Sequence, residues 1–259
     1  MLTTYNCLVR QLVLAGLAGT ALTSSIEGVA GSLLVSQHSG YYTGYGDPSW
    51  VTMSGLLDNA TGGNVTLLPD FMDNSQVQAS DALWLDQRLG GSLAPQEINN
   101  IQSFIATGKR VVLVGENSNW QAWDQQILGI VGGSYASDTG WVLANTVFSH
   151  PLTAGVSTVY LIAAGVAAPS AVGTPLFDIN TMTLWGPEMN VLSMLESNTV
   201  DDNYIGYNDN LTFARNLADW VAAPRVSVPE GQGGEAMLAF LGLLGFAAYR
   251  RAQTRHSPI

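Results

Sequence analysis

The sequence predicts an α/β domain: a mostly parallel sheet flanked by helices, with an antiparallel extension in its second half and a C-terminal hydrophobic helix. Three observations predict it. Short β-rich runs alternate with helical periodicity from Leu33 to Val131. The runs are apolar throughout instead of alternating with polar residues, as strands covered on both faces are. After Gly133 the helical pattern gives way to sequence rich in Gly, Thr and Val.

The first strand is LLVS, Leu33–Ser36. Asp47 then offers an N-cap with Pro48 at the first helical position, and this helix should run to about Leu57. NVTLL (residues 64–68) and ALWL (Ala82–Leu85) read as the next two strands. Pro95 opens a helix that places Ile98, Ile101, Phe104 and Ile105 on one face, and Gly108 ends it by accepting a positive φ. RVVLV, Arg110–Val114, is the fourth strand. A helix over residues 120–131 stops at Gly132-Gly133. Short strands at residues 158–161, 174–177 and 191–195 form the expected antiparallel extension. A last helix begins near Asp209 or Asn210, with Phe213, Leu217 and Trp220 on one face, and Pro224 follows it. No internal repeat is found.

Composition narrows the function. Of 259 residues, 47% are apolar and 11% charged, which excludes disorder. Residues 31–228 hold 17 acids against 5 bases, a net charge of −12. Such a surface repels phosphate backbones, so no nucleic-acid partner is expected. The one cysteine, Cys7, lies in a segment expected to be removed. The mature chain would then have no disulfide framework, no thiolate nucleophile and no Cys-ligated metal. No cofactor is expected.

Both termini read as signals. Residues 1–25 place Arg10 before the short apolar run from Leu12 to Leu22 and then small polar residues, the pattern of a secretory signal peptide. Cleavage after Ala21, Ser25 or Ala30 is compatible with the pattern. The domain is expected over residues 31–223, a linker over 224–235, and a hydrophobic helix with a basic tail over 236–259. The run from Ala236 to Tyr249 carries no charge and has no polar face, so it reads as a membrane helix. Arg250, Arg251 and Arg255 after it predict a cytoplasmic end for the tail.

Val228-Pro229-Glu230-Gly231, the Gly-rich spacer, the apolar helix and Arg250-Arg251 resemble PEP-CTERM sorting signals. The resemblance implies the cell's export machinery and cleavage near the proline by an exosortase. It also implies export in a Gram-negative bacterium, often one that makes exopolysaccharide. The chain departs at Gly231, where the commonest form has a second proline. YGDPSW (residues 45–50), ALWLDQRLGG (82–91), EINNIQSFIATGKRVVLVGENSNW (97–120), HPLTAGV (150–156) and DDNYIGYNDNLTFARNLADW (201–220) resemble the class I glutamine amidotransferase-like domain of exported PEP-CTERM proteins. That resemblance implies a fold and no assigned chemistry.

Amidotransferases of this kind carry a cysteine on the turn after a central strand. VVLVGENSNW places Glu116 there. A carboxylate cannot replace a thiolate in glutamine hydrolysis, so amidotransferase activity is not expected. Glu116 with Asp86, at the end of the preceding β-run, could instead form the carboxylate pair of a glycan hydrolase. His38 could join them as a metal ligand or proton carrier, and Arg88 could pair with either acid. The other reading is a non-catalytic binding or scaffolding domain with extracellular polysaccharide as its partner. His150, before Pro151, reads as structural. Asp201, Asp202 and Asp209 form an oxygen-rich loop that either holds calcium or caps the last helix. Trp50, Trp120, Trp123 and Trp141 are candidate sugar-stacking platforms or core.

Overall fold

A computed structural model of the chain describes residues 31–36, 44–88 and 91–223. Its first half alternates strand and helix as the apolar runs require. β1 (Leu33–Ser36) leads to a 3-10 turn capped by Asp47 and then to α1 (Val51–Thr61), which ends at Gly62 with φ 64°. β2 (Val65–Leu68), α2 (Asn74–Ala79), β3 (Ala82–Leu85), α3 (Pro95–Ala106), β4 (Arg110–Val114) and α4 (Gln121–Ile130) follow. The second half holds β5 (Tyr135–Asp138), β6 (Trp141–Asn145), β7 (Thr158–Ile162), β8 (Gly165–Ala167), β9 (Gly173–Pro175), β10 (Met182–Trp185) and β11 (Val191–Met194), then α5 (Asn210–Ala222).

The main sheet has seven strands in the order β2-β1-β3-β4-β11-β10-β9. The first five are mutually parallel, and β10 and β9 add an antiparallel edge. Alternation along the strands fills two cores. Val35, Trp84, Val112, Val114, Leu192 and Met194 pack under α1 and α5. Leu34, Leu83, Leu85, Val111, Leu113 and Leu195 pack under α3 and α4. Two separate antiparallel ribbons, β5-β8 and β6-β7, complete the layers.

Two expectations are corrected, and one helix that no expectation covered is added. The sequence pattern assigns residues 191–195 to the antiparallel extension, but β11 lies parallel beside β4 in the sheet interior. Its four residues are all buried, which a strand covered on both faces requires. α2 shows too few periodic apolar positions to be read from sequence; only Val77 is buried, and Asp73 caps it through the Ser75 and Gln76 amides. Arg88 pairs with neither Asp86 nor Glu116. It makes a bidentate pair with Glu97, at 2.7 and 3.1 Å, and lies over the Trp123 ring. Glu97 also accepts from the Phe71 and Ala94 amides, so one buried carboxylate pins the start of α3 to the loop after β2. Burial pushes its pKa up, but Arg88 and these amides outweigh burial and hold it below the ordinary value.

The domain's two ends meet at the amino edge of the sheet, where the Gly31 amide donates to the Ala222 carbonyl at 3.2 Å. His38 lies outside the described residues, as do Val228, Pro229, Glu230, Gly231, Arg250, Arg251 and the expected C-terminal helix. Among the described residues no helix is long and apolar enough to cross a membrane.

Removing one partner of the Arg88–Glu97 pair leaves the other charge buried and unpaired. Glu97→Ala should destabilise the domain by about 3–5 kcal/mol, read as a lower midpoint in urea unfolding.

Candidate functional site

Parallel strands deliver their carboxyl ends to one edge of a sheet, where open α/β folds bind ligands. Here three neighbouring strands run out into acids. β3 is followed by Asp86, β4 by Gly115-Glu116 and β11 by Leu195-Glu196. Alternation puts all three acids on the face covered by α1 and α5, in step with Trp84, Val114 and Met194. Val114 pairs with Met194, and the Gly115 amide donates to the Met194 carbonyl at 2.8 Å. Carried two residues on, that register sets Glu116 beside Glu196.

All three acids are buried, and Glu116 is 5% exposed. One oxygen of Glu116 accepts from the Ser197 amide at 3.2 Å, the Ser197 hydroxyl at 2.7 Å and Asn198 Nδ2 at 3.1 Å. The Glu116 amide donates to Asp124 of α4 at 3.0 Å. Glu196 accepts from the Ile162 amide at 3.1 Å, while its Oε1 and Asp124 Oδ2 have no hydrogen-bond partner. Two glycines admit this crowding. A Cβ at Gly115 would collide with the Asp124 carboxylate and the Leu195 side chain; one at Gly165 would collide with the Glu116 carbonyl oxygen.

Burial sets the electrostatics. It raises Asp86 to about 7 against the hydrogen bonds from the Trp84 indole and the Tyr45 amide. It raises Asp124 to about 8, with the charges of Glu116 and Asp138 adding to the effect. Glu116 is raised by burial and by Asp138, and Glu196 by burial and by Glu116. Such shifts mark functional sites and structural clusters alike. Accessibility decides what the group can do. A nucleophile must present its oxygen to a substrate, whereas the Glu116 carboxylate is buried and occupied by Ser197 and Asn198. Asp86 faces the other way along the edge, toward Trp84 and Tyr45.

Glu196 and Asp124 escaped the sequence reading. The signal for Glu196 was present: VLSMLE ends an apolar run in an acid, as ALWLD and VVLVGE do. Asp124 carries no such mark, because its position in α4 looks like an ordinary helical acid.

The remaining candidates disperse. Asp202 accepts from the Val51 and Thr52 amides and so caps α1; Asp209 accepts from the Ser157 and Thr158 amides before β7. Asp201 accepts from Asn203. Among the described residues no group of three His, Cys, Asp or Glu stands close enough to hold a metal. His150 accepts from the Leu152 amide and lies against Phe148 and Trp220. It lines a cavity of about 780 Å³ with Arg110 at the amino edge, away from the acids. Trp50, Trp120 and Trp123 are buried, whereas Trp141 is 67% exposed.

No family model matches the chain, and no curated protein matches it. Solved structures do. The N-terminal domain of mmIFT52 is 9% identical, with a TM-score of 0.58 over 73% of this chain and 99% of that one. A GMP synthase subunit-like protein from Thermoplasma acidophilum is 12% identical, covering 74% of this chain and 94% of that one at a TM-score of 0.49. A ThuA-like protein from Bacteroides uniformis is 14% identical, covering 73% and 90% at 0.49. At these identities the likeness to the mmIFT52 domain concerns fold alone. The expected class, a mostly parallel α/β sheet flanked by helices, is the one observed.

Carboxyls whose folded pKa exceeds the unfolded value of about 4 take up protons on folding, so their effect on stability declines as pH rises from about 4 to 8. The domain should melt at a lower temperature at pH 8 than at pH 5. Asp124→Asn should flatten that slope, measured by thermal unfolding across the range.

Proposed function

We propose that the chain is an exported cell-surface protein of a Gram-negative bacterium. Its amidotransferase-like domain binds or scaffolds rather than catalyses. The observation that carries the non-catalytic reading is the internal use of Glu116. The residue on the nucleophile's turn is 5% exposed and committed to Ser197 and Asn198, and the sequence has no cysteine after Cys7. The class I amidotransferase affiliation is supported by the five stretches that resemble that domain and by the mostly parallel sheet flanked by helices; the acid on the turn after β4 departs from it.

Sorting is supported by sequence. Val228-Pro229-Glu230-Gly231, the uncharged run after Ala236 and Arg250-Arg251 supply the parts an exosortase-type enzyme would read, and the apolar run is the membrane anchor before cleavage. The first described residue, Gly31, and Ala222 near the last are hydrogen-bonded neighbours. Extracellular polysaccharide is the partner that fits an acidic, exported binding domain in such a system.

A second reading, a glycan-directed hydrolase using Asp86 and Glu116, is favoured by one observation. Both acids sit on the same face of the carboxyl edge with raised pKa values.

Two experiments separate these readings. Cells expressing the chain without residues 228–259 should lose surface anchoring, scored by fractionation; retained anchoring contradicts the sorting signal. The full chain should release no sugar from a panel of polysaccharides. Turnover that Glu116→Gln abolishes would establish the hydrolase instead.

A further inference from the structure

Among the described residues the β6-β7 ribbon has no third strand. Ala144, Val159 and Leu161 turn into the core, which leaves Trp141, Leu143 and Asn145 on the outer face, opposite Ile162, Tyr160 and Thr158. Trp141 is 67% exposed and Leu143 49%. The row does not end at the ribbon. Tyr160 stacks on Tyr207 with ring centres 5.4 Å apart and planes 18° apart, and Tyr204 lies 6.1 Å beyond. Tyr207 is 52% exposed.

The backbone that carries Tyr160 and Tyr204 is also tied down by side chains of α5 and its N-cap. The buried Asn210 side chain accepts from the Tyr160 amide at 2.9 Å and donates to the Tyr160 and Tyr204 carbonyls at 3.2 and 3.1 Å. Asp209 holds the start of β7 through two amides. Aromatic rings, with two side-chain torsions, supply flat contact area at low entropic cost, and here the Tyr160, Tyr207 and Tyr204 rings also rest on one another.

We infer that this aromatic row is a binding platform for a neutral polysaccharide chain. The inference rests on the reading of the domain as a binding module, and three features select the occupant. Trp141, Tyr160 and Tyr207 offer flat rings of the kind that stack on the C–H faces of pyranose sugars. The rim is the polar group bonded to the ends of β6 and β7: Asp178 accepts from Asn145, Asn208 donates to the Thr158 hydroxyl and Asp209 accepts from the Ser157 and Thr158 amides, so it holds two carboxylates and two amides. Neither the row nor the rim contains Lys or Arg, and the region from residue 31 to 228 has a net charge of −12, so anionic polymers are repelled. Area argues against a protein partner. With roughly 200 Å² for each whole side chain, Trp141, Leu143 and Tyr207 expose about 350 Å², less than half of the about 800 Å² per partner in a stable protein interface.

The test is affinity electrophoresis of the purified full chain in native gels containing hydroxyethyl cellulose, galactomannan, dextran, alginate or no polymer. Retardation is expected in at least one neutral gel and none in alginate. Trp141→Ala and Tyr207→Ala should each weaken the retarding affinity about tenfold or more, the size of one well-placed aromatic contact. Val172→Ala, an exposed apolar residue elsewhere, should change nothing. Absence of retardation in every neutral gel overturns the proposal, as does retardation that survives the double Trp141→Ala, Tyr207→Ala variant. Sedimentation that shows a dimer dissolved by Trp141→Ala also overturns it and assigns the face to a second copy. Gel mobility does not depend on where a cell places the protein, so failure here leaves the sorting signal standing, and misplacement in cells leaves the platform standing.

Discussion

The structure depends on keeping acids buried at the carboxyl edge of its sheet. Five parallel strands bring their ends to one line, and helices cover both faces, so a side chain just past a strand has no water to meet. Glu116 meets that constraint with three donors from Ser197 and Asn198. Those bonds join the turn after β4 to the turn after β11. Gly115 and Gly165 exist at their positions because nothing larger fits between the acids and the backbone they face.

That solution shapes the chemistry. A turn that lifts a nucleophile above a sheet works when the lifted atom meets a substrate. Here the same turn directs its carboxylate inward, and the neighbours raise the cost of ionising it. Burial is the first cause of every raised carboxyl in the cluster, and charge repulsion adds to it for Glu116, Asp124 and Glu196. The edge is therefore better suited to holding strands together than to attacking a bond. The exposed aromatics stand elsewhere: Trp141 on a ribbon that the core anchors from behind, and Tyr207 stacked on Tyr160 of that ribbon.

The geometry of the ends bears on the cellular role. Gly31 and Ala222 are hydrogen-bonded neighbours at the amino edge, the far side of the sheet from the acids. Three of the four described cations are engaged internally: Arg88 with Glu97, Lys109 with the Gln78 and Ser80 carbonyls, and Arg110 with the Trp220 and Ala223 carbonyls, while Arg215 is exposed on α5.

The sequence by itself determined the first half of the fold except for α2. Apolar runs such as LLVS and RVVLV, Asp47 before Pro48, and Gly108 after a helical stripe are local signals, and each produced the element it announced. It also determined that no thiolate could act in the described domain. Only the tertiary structure decided where β11 inserts, because pairing between residues 111–114 and 191–194 is a contact across some eighty residues that no local pattern encodes. It likewise decided that Arg88 belongs to Glu97, that Glu196 stands beside Glu116, and that Trp141 faces solvent while Trp50, Trp120 and Trp123 are buried. Burial belongs to the whole packed chain, so residues of one type diverge once their distant neighbours are set.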